Sequence, residues 1–206
     1  MISGKYTGIG SRETPLEIRD LMTEIAMHFQ SHGYALRTGS VSVADRAFEI
    51  GAGENKEIYV PWNGWNDRPG ITSVSIASTR LAQSIWEQRR VNGWEPFLSA
   101  HVDEKWDDIH PGTKDLLAKS VCMVLGKDLN EPSDALVCWT PQCRVIGISA
   151  HVMVLAAINK IPMFNLCDPE TLDVIKIMLR ENRDPGITIG HRRDRCENNA
   201  EISGLK

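Results

Sequence analysis

Two short turns carry most of the residues able to do chemistry. Gly8-Ile9-Gly10-Ser11-Arg12 follows one short apolar run, and Gly39-Ser40-Val41-Ser42-Val43-Ala44-Asp45 follows another. Turns of this kind between a strand and a helix aim backbone N–H groups at an anionic ligand. N–H groups near Ser11 and Ser40 would hold phosphate oxygens. Arg12 would pair with the same oxygens through two parallel N–H bonds, or else salt-bridge Glu13 or Glu17 at the surface. Asp45 would accept a hydrogen bond from a ligand or cap the short helix behind it. Trp62 and Trp65 stand where they would stack on a base or pack beside a strand. A further loop, Thr140–Ser149, adds Thr140, Gly147 and Ser149 to the set.

Several neighbouring chemistries are excluded by what surrounds these turns. The first has Gly8-x-Gly10 without a third glycine, and the second apolar run ends in Arg37-Thr38 rather than a carboxylate for a ribose 2′-hydroxyl. A nicotinamide dehydrogenase needs both. No GxxxxGK[ST] stretch is present, so P-loop phosphoryl transfer is out. The five cysteines (Cys122, Cys138, Cys143, Cys167, Cys196) lack CxxC or zinc-type spacing. Cys122, Cys138 and Cys167 lie in or beside apolar runs, which suits a reduced, cytoplasmic setting. His110, before Pro111, reads as structural. The sequence calls for no metal, no cofactor and no catalytic residue.

The elements that must position these turns follow from periodicity. Lys5–Ile9, Tyr34–Arg37, Glu57–Val60, Ala135–Trp139 and Ile161–Leu166 read as strands, with helices between them. In the first helix Thr14 is the expected N-cap, Pro15 the first helical residue and Glu17 the partner in a capping box. Ile18, Leu21, Met22, Ile25 and Phe29 recur at helical spacing before Gly33. A short helix from Ser42 to Ile50 closes at Gly51, a longer one carries Leu116 to Leu125, and Ser149 to Ile158 forms another. Asp168 caps a helix starting at Pro169. Met22, Met27 and Met123 read as core filler. Strands alternating with helices imply parallel βαβ units. The expected fold is α/β, a single Rossmann-like domain over 1–182 with a mostly parallel sheet flanked by helices. Residues 62–110 form an insertion after the third strand, with one helix around Ser78–Val91, and 183–206 form a polar tail, mobile or ordered on a neighbour.

A length of 206 residues suffices for a core without disulfides or metal. The net charge of −4 argues against the nucleic-acid backbone as main partner, because that role favours a basic face. No apolar run reaches the length of a membrane span, and the N-terminus lacks a signal-peptide core.

Tyr6-Thr7-Gly8-Ile9-Gly10-Ser11-Arg12 followed by Pro15 resembles the opening of the SLOG superfamily, the Rossmann-like group of DprA (Smf) and Lonely Guy proteins. Arg37 to Glu49 resembles the R-S-G-G-A-x-G-A-D-x-A-F-E stretch of its phage- and plasmid-borne DprA-like branch. Further similarities are Tyr59-Val60-Pro61-Trp62, His110-Pro111, Val124-Leu125-Gly126, Pro132-Ser133-Asp134, Cys138-Trp139-Thr140-Pro141 and Ile161 to Leu166. The resemblance covers roughly Tyr6 to Leu166. It implies an adenine-nucleotide or NAD-derived ligand, carried over onto Gly8, Gly10, Ser11, Arg12, Gly39, Asp45, Thr140 and Gly147. It also implies self-association and a setting in mobile elements, with nucleotide signalling or counter-defence as context.

The departures from that pattern are concentrated in the ligand turns. Ser40 and Val43 stand where the family has glycine, and Val41 where it has alanine. A β-branched residue adopts positive φ only at a cost, and its side chain would fill phosphate space. Gln142-Cys143 and Gly147-Ile148-Ser149 replace D-G and G-G-T, and Lys119-Ser120 replaces Arg-Asn. Reverting Val41 to Ala and Val43 to Gly is the expected way to restore a lost cradle. Three functions remain: a sensor or sequestering protein for a nucleotide-derived small molecule, a DprA-like single-stranded DNA mediator, and a Lonely Guy-like phosphoribohydrolase. The last would need a glutamate where this chain has Val152. The mediator would need more than the clusters Arg89-Arg90 and Arg192-Arg193-Arg195.

Overall fold

The computed structural model describes residues 4–39, 41–91, 105–145 and 147–202. Its centre is a six-stranded, all-parallel sheet built from β1 (Gly4–Gly10), β2 (Tyr34–Thr38), β3 (Lys56–Val60), β4 (Ile71–Thr72), β5 (Ala135–Trp139) and β6 (Met163–Asn165). Seven α-helices flank it among the described residues: α1 (Leu16–Ser31), α2 (Val43–Ala52), α3 (Ile76–Val91), α4 (Pro111–Leu125), α5 (Gly147–Ile158), α6 (Pro169–Arg180) and α7 (Pro185–Ile202). The fold is the expected Rossmann-like α/β class.

Strand order is β4-β3-β2-β1-β5-β6. The chain therefore winds outward from β1 in one direction and then starts again on its other side at β5. The crevice beyond the carboxyl ends of β1 and β5 is the switch point at which such sheets bind ligands. Both faces of the sheet are covered. Residues of α3, α4 and α5 build one core cluster around Ile85, Leu117, Val121 and Leu155. The other contains Met22, Ile25, Phe29, Phe48 and Ile175 from α1, α2 and α6. Burial on both faces explains why β5 reads as a continuous apolar run.

Arg37 is the exception in β2, charged and fully buried. Its Nε donates to Glu57 at 2.9 Å, and its Nη1 and Nη2 each reach Glu131 at 2.5 Å, the first through the backbone carbonyl and the second through the carboxylate. Lys5 Nζ donates to the same two carboxylates at 2.7 and 2.8 Å. Arg37 thus ends in an ion network that joins β1, β2, β3 and the loop before β5.

Three local expectations are corrected. Thr14 does not cap α1: its hydroxyl donates to Ser11 O at 2.7 Å, closing the turn after β1, and Pro15 takes the N-cap position without a side-chain bond. Gly51 does not end α2, which continues to Ala52 with Gly53 as its cap at φ 55°. A Cβ on Gly51 would stand 2.2 Å from Thr23 O, so glycine there lets α2 pack against α1. The polar C-terminal segment is helical as α7, starts at Pro185 and buries Ile189 in the α1–α6 cluster. Pro185 and Thr188 are buried beside it at the start of the helix.

The excursion after β3 supplies parts of the main body. β4 pairs parallel with β3, and Ala82, Ile85, Trp86, Trp106 and Ile109 enter the core beneath α4 and α5. Met27, expected inside, is 58% exposed on α1. Cys196, Trp94 and Ser40 lie outside what can be described here, Cys196 for its side chain alone.

Candidate functional site

A cleft of about 1250 Å³ opens at the β1/β5 switch point. Its walls come from the turn after β1, the start of α2, one face of α4, and the loop from β5 into α5. Of the expected site residues it brings together Gly10, Ser11, Arg12, Val41, Asp45, Lys119, Thr140, Gly147 and Ser149. Gly8, Gly39, Val43 and Trp62 are not among its lining residues, and Ser40 is not described.

Each residue outside the lining has a packing role or an open position. A Cβ on Gly8 would approach Leu36 and the Phe48 ring to 2.8 Å, so this glycine lets β1 sit against β2 and α2. Trp62 is 41% exposed and stacks edge-on against Trp65 with ring centroids 4.6 Å apart. Val43 is 42% exposed at the first position of α2. Val41 and Val43 are not among the residues with positive φ, so the turn does not demand glycine at either position.

The second turn has its own anion. Asp45 is buried, and its Oδ2 accepts from Val41 N–H at 2.8 Å and Ser42 N–H at 3.1 Å. Its Oδ1 accepts from the Ser42 hydroxyl at 2.8 Å, while Asp45 N–H donates back to Ser42 Oγ at 3.1 Å. This is a complete capping box at the start of α2. The N–H groups expected to cradle phosphate are therefore engaged by a carboxylate of the same helix. Ser11 N–H is likewise committed, to Trp139 O at 3.2 Å across the β1/β5 seam. The turns position the cleft, and recognition falls to side chains.

Lys119 is the most unusual of those side chains. It projects from the middle of α4, is 2% exposed and lines the cleft. Among the described residues its Nζ has no hydrogen-bond partner and no carboxylate within 4.0 Å. Burial pushes its ammonium down to about 8, opposed by the field of Asp45. Burial in turn raises the Asp45 carboxyl, opposed by Lys119 and by the hydrogen bonds from Val41 and Ser42. At the mouth stand Arg12 and Arg144, both exposed and without an ion pair among the described residues, along with the carboxylate of Glu13.

The remaining walls are held by short polar links. Thr140 is buried, and its Oγ1 accepts from Asn165 Nδ2 at 2.9 Å, which leaves the hydroxyl proton available to the cleft. Gly147 opens α5 at φ 65°, a left-handed conformation that favours glycine, and nothing lies within 4 Å of where its Cβ would be. The first-turn N–H groups of α5 border the cleft beside Ser149. Beneath Lys119, Ser120 Oγ lies 3.1 Å from His151 Nδ1, and His151 Nε2 lies 3.2 Å from Ala82 O. That bridge ties α4 to α5 and α3. Met123, Val152, Met153 and Met163 supply an apolar side.

Arg144, Met123, Ser42 and Asn165 did not stand out in the sequence as parts of a site. Arg144 carried a signal, as the cation within the same loop as Thr140 and Gly147. Met123 carried only its spacing from Lys119, one helical turn along α4.

No protein-family model, curated protein or solved structure matches this chain. Among the described residues no helix is long and apolar enough to cross a membrane, and no group of three or more His, Cys, Asp or Glu is placed to hold a metal ion.

Proposed function

We propose that this protein binds a nucleotide-derived small anion in the β1/β5 cleft and acts as a sensor or sequestering protein. One observation carries the reading: Lys119, 2% exposed at the wall of a cleft at the switch point of a parallel sheet, with no ion-pair or hydrogen-bond partner for its Nζ among the described residues. A buried ammonium without hydrogen-bonding partners is costly, and an anionic ligand supplies the missing partner. Arg12 and Arg144 at the mouth add charge for a phosphate or pyrophosphate. The apolar side formed by Met123, Val152 and Met163 suits a base or sugar face.

The resemblance to SLOG proteins supports the adenine-nucleotide or NAD-derived class. It also supports self-association and a counter-defence role in a mobile element, and the cysteine pattern supports a cytoplasmic setting. Val152 lines the cleft with no acid or base to offer, which favours binding over a Lonely Guy-like hydrolysis.

Thermal unfolding with NAD, ADP-ribose, cyclic ADP-ribose isomers and nucleoside monophosphates tests the reading. A ligand at a hundred times its Kd stabilises the fold by about 2.7 kcal/mol. The wild type is expected to show such a shift for at least one phosphate-bearing member, and Lys119→Met to lose it. Unshifted transitions across the set, together with a gel shift on single-stranded DNA, would replace this reading with the mediator.

A further inference from the structure

We infer that Lys119 is a carbonyl-reactive amine, and that the cleft takes a nucleotide-derived ligand with a free anomeric carbon, the ADP-ribose type, whose ring-opened aldehyde forms a reversible imine with Nζ. This rests on the binding reading above and adds a covalent step to it. The argument starts from how the cations are distributed. Arg12 and Arg144 are exposed at the mouth, where a pyrophosphate would sit, whereas Lys119 is 2% exposed in the wall. An anion held at the mouth leaves the sugar end of the ligand to reach Lys119.

Lys119 Nζ is also unusually undistracted. Among the described residues it has neither a hydrogen-bond acceptor nor a carboxylate within 4.0 Å. Asp45, the charge that acts on it, is occupied with Val41 and Ser42. The side chain is confined between the backbone at Gly39 and the face of α4 that carries Met123. Burial lowers the ammonium to about 8, so about a tenth of the amine is neutral at pH 7, far more than for an ordinary lysine.

The step balances without an oxidant or reductant. The ammonium first loses a proton to solvent in the cleft. The Nζ lone pair then attacks the aldehyde carbon, the C–N bond forms, and the carbonyl electron pair moves to oxygen, which takes a proton. The carbinolamine nitrogen loses its proton, a second proton reaches the hydroxyl, and water leaves as the C=N bond forms.

The test uses the full chain and two carbonyl probes. Pyridoxal 5′-phosphate with borohydride, read by peptide mass spectrometry, ranks the lysines by reactivity. Lys119 should be labelled at least about tenfold faster than exposed Lys105 or Lys160 at pH 7.5, because burial favours its neutral amine. ADP-ribose with cyanoborohydride should give one adduct on Lys119. ADP, whose anomeric carbon is blocked by its bond to adenine, should slow the labelling and form no adduct. Lys119→Arg removes the amine and should lose the adduct. Labelling of Lys105 and Lys160 with Lys119 untouched overturns the inference, as does stabilisation by ADP-ribose without an adduct, which leaves the binding reading intact. If no nucleotide stabilises the protein, the binding reading fails, and the pyridoxal arm still decides whether Lys119 is a reactive amine.

Discussion

Gly39 and Lys119 share one space: a Cβ on Gly39 would stand 2.0 Å from Lys119 Nζ and 3.1 Å from Met123 Sδ. The glycine after β2, which reads in sequence as room for a phosphate, is room for an ammonium. Gly39→Ala should therefore displace Nζ and weaken ligand binding by about tenfold or more, the loss of one charge-assisted hydrogen bond. In a Lys119→Ala background the same substitution should cost little further affinity, because the collision has gone. Isothermal titration of the two single variants and the double variant measures this coupling. Additive effects would show that Gly39 acts on the cleft by another route.

The capping box of Asp45 makes a second prediction, on stability. Asp45→Ala leaves the Val41 and Ser42 N–H groups without their carboxylate, so it should destabilise the fold by about 1–2 kcal/mol in denaturant unfolding. Val43→Gly should leave ligand binding unchanged, since Val43 is exposed outside the cleft lining, and should cost roughly 0.5 kcal/mol of helix stability. Val41→Ala, inside the lining, is the member of that pair expected to alter affinity. A gain of binding from Val43→Gly alone would overturn this placement of the turn.

The contrast between the two valines shows what was legible in the sequence. Strand and helix periodicity reports burial, and β5 was readable as Ala135–Trp139 to the residue because both of its faces are covered. The loops were readable as a cluster at the strand ends, since topology alone gathers them there. What a turn does with its N–H groups was not readable. That depends on which anion wins, and Asp45 is three residues along the same chain from Ser42, far closer than any ligand. Lys119 could be listed as a departure from a motif. Among the described residues its lack of an ion pair depends on packing between α4 and the β2 turn, which no local pattern records.

The Arg37 network predicts an acid-sensitive fold. Glu57 is held below its usual range: burial opposes ionisation, but hydrogen bonds from Lys5, Tyr59 and Arg37 outweigh it. Its folded pKa lies below the unfolded one, so the stabilisation is fully present above the unfolded carboxylate range and is lost as pH falls through the folded value. Urea unfolding between pH 6 and pH 3 should show that loss. Arg37→Met should flatten part of it and cost about 2–4 kcal/mol at pH 7. That is less than a fully buried pair would cost, because Glu57 and Glu131 keep 26% and 59% of their side-chain exposure.

Cys143 is exposed on the loop between β5 and α5, and its backbone N–H donates to Cys167 Sγ at 3.1 Å. Loss of solvation and the hydrogen bond with the Cys167 thiol push the Cys143 thiol up to about 11. Relative to an unperturbed thiol at 9.0, the thiolate fraction at neutral pH falls by roughly 100-fold. The more basic thiolate is also the better nucleophile, and a Brønsted slope of about 0.4–0.5 returns somewhat under tenfold of that. Exchange of Cys143 with an aromatic disulfide reagent at pH 7.4 should therefore run about tenfold slower than for an unperturbed cysteine, and should accelerate with pH up to about 11. Cys167→Ala removes the hydrogen-bonding thiol and should bring the rate back toward the ordinary value. Buried Cys122 and Cys138, raised to about 11 and about 12 by burial, should react only on unfolding. Peptide mass spectrometry after timed quenching separates the sites, and a Cys143 rate equal to that of free cysteine would show that the two thiols are not paired in solution.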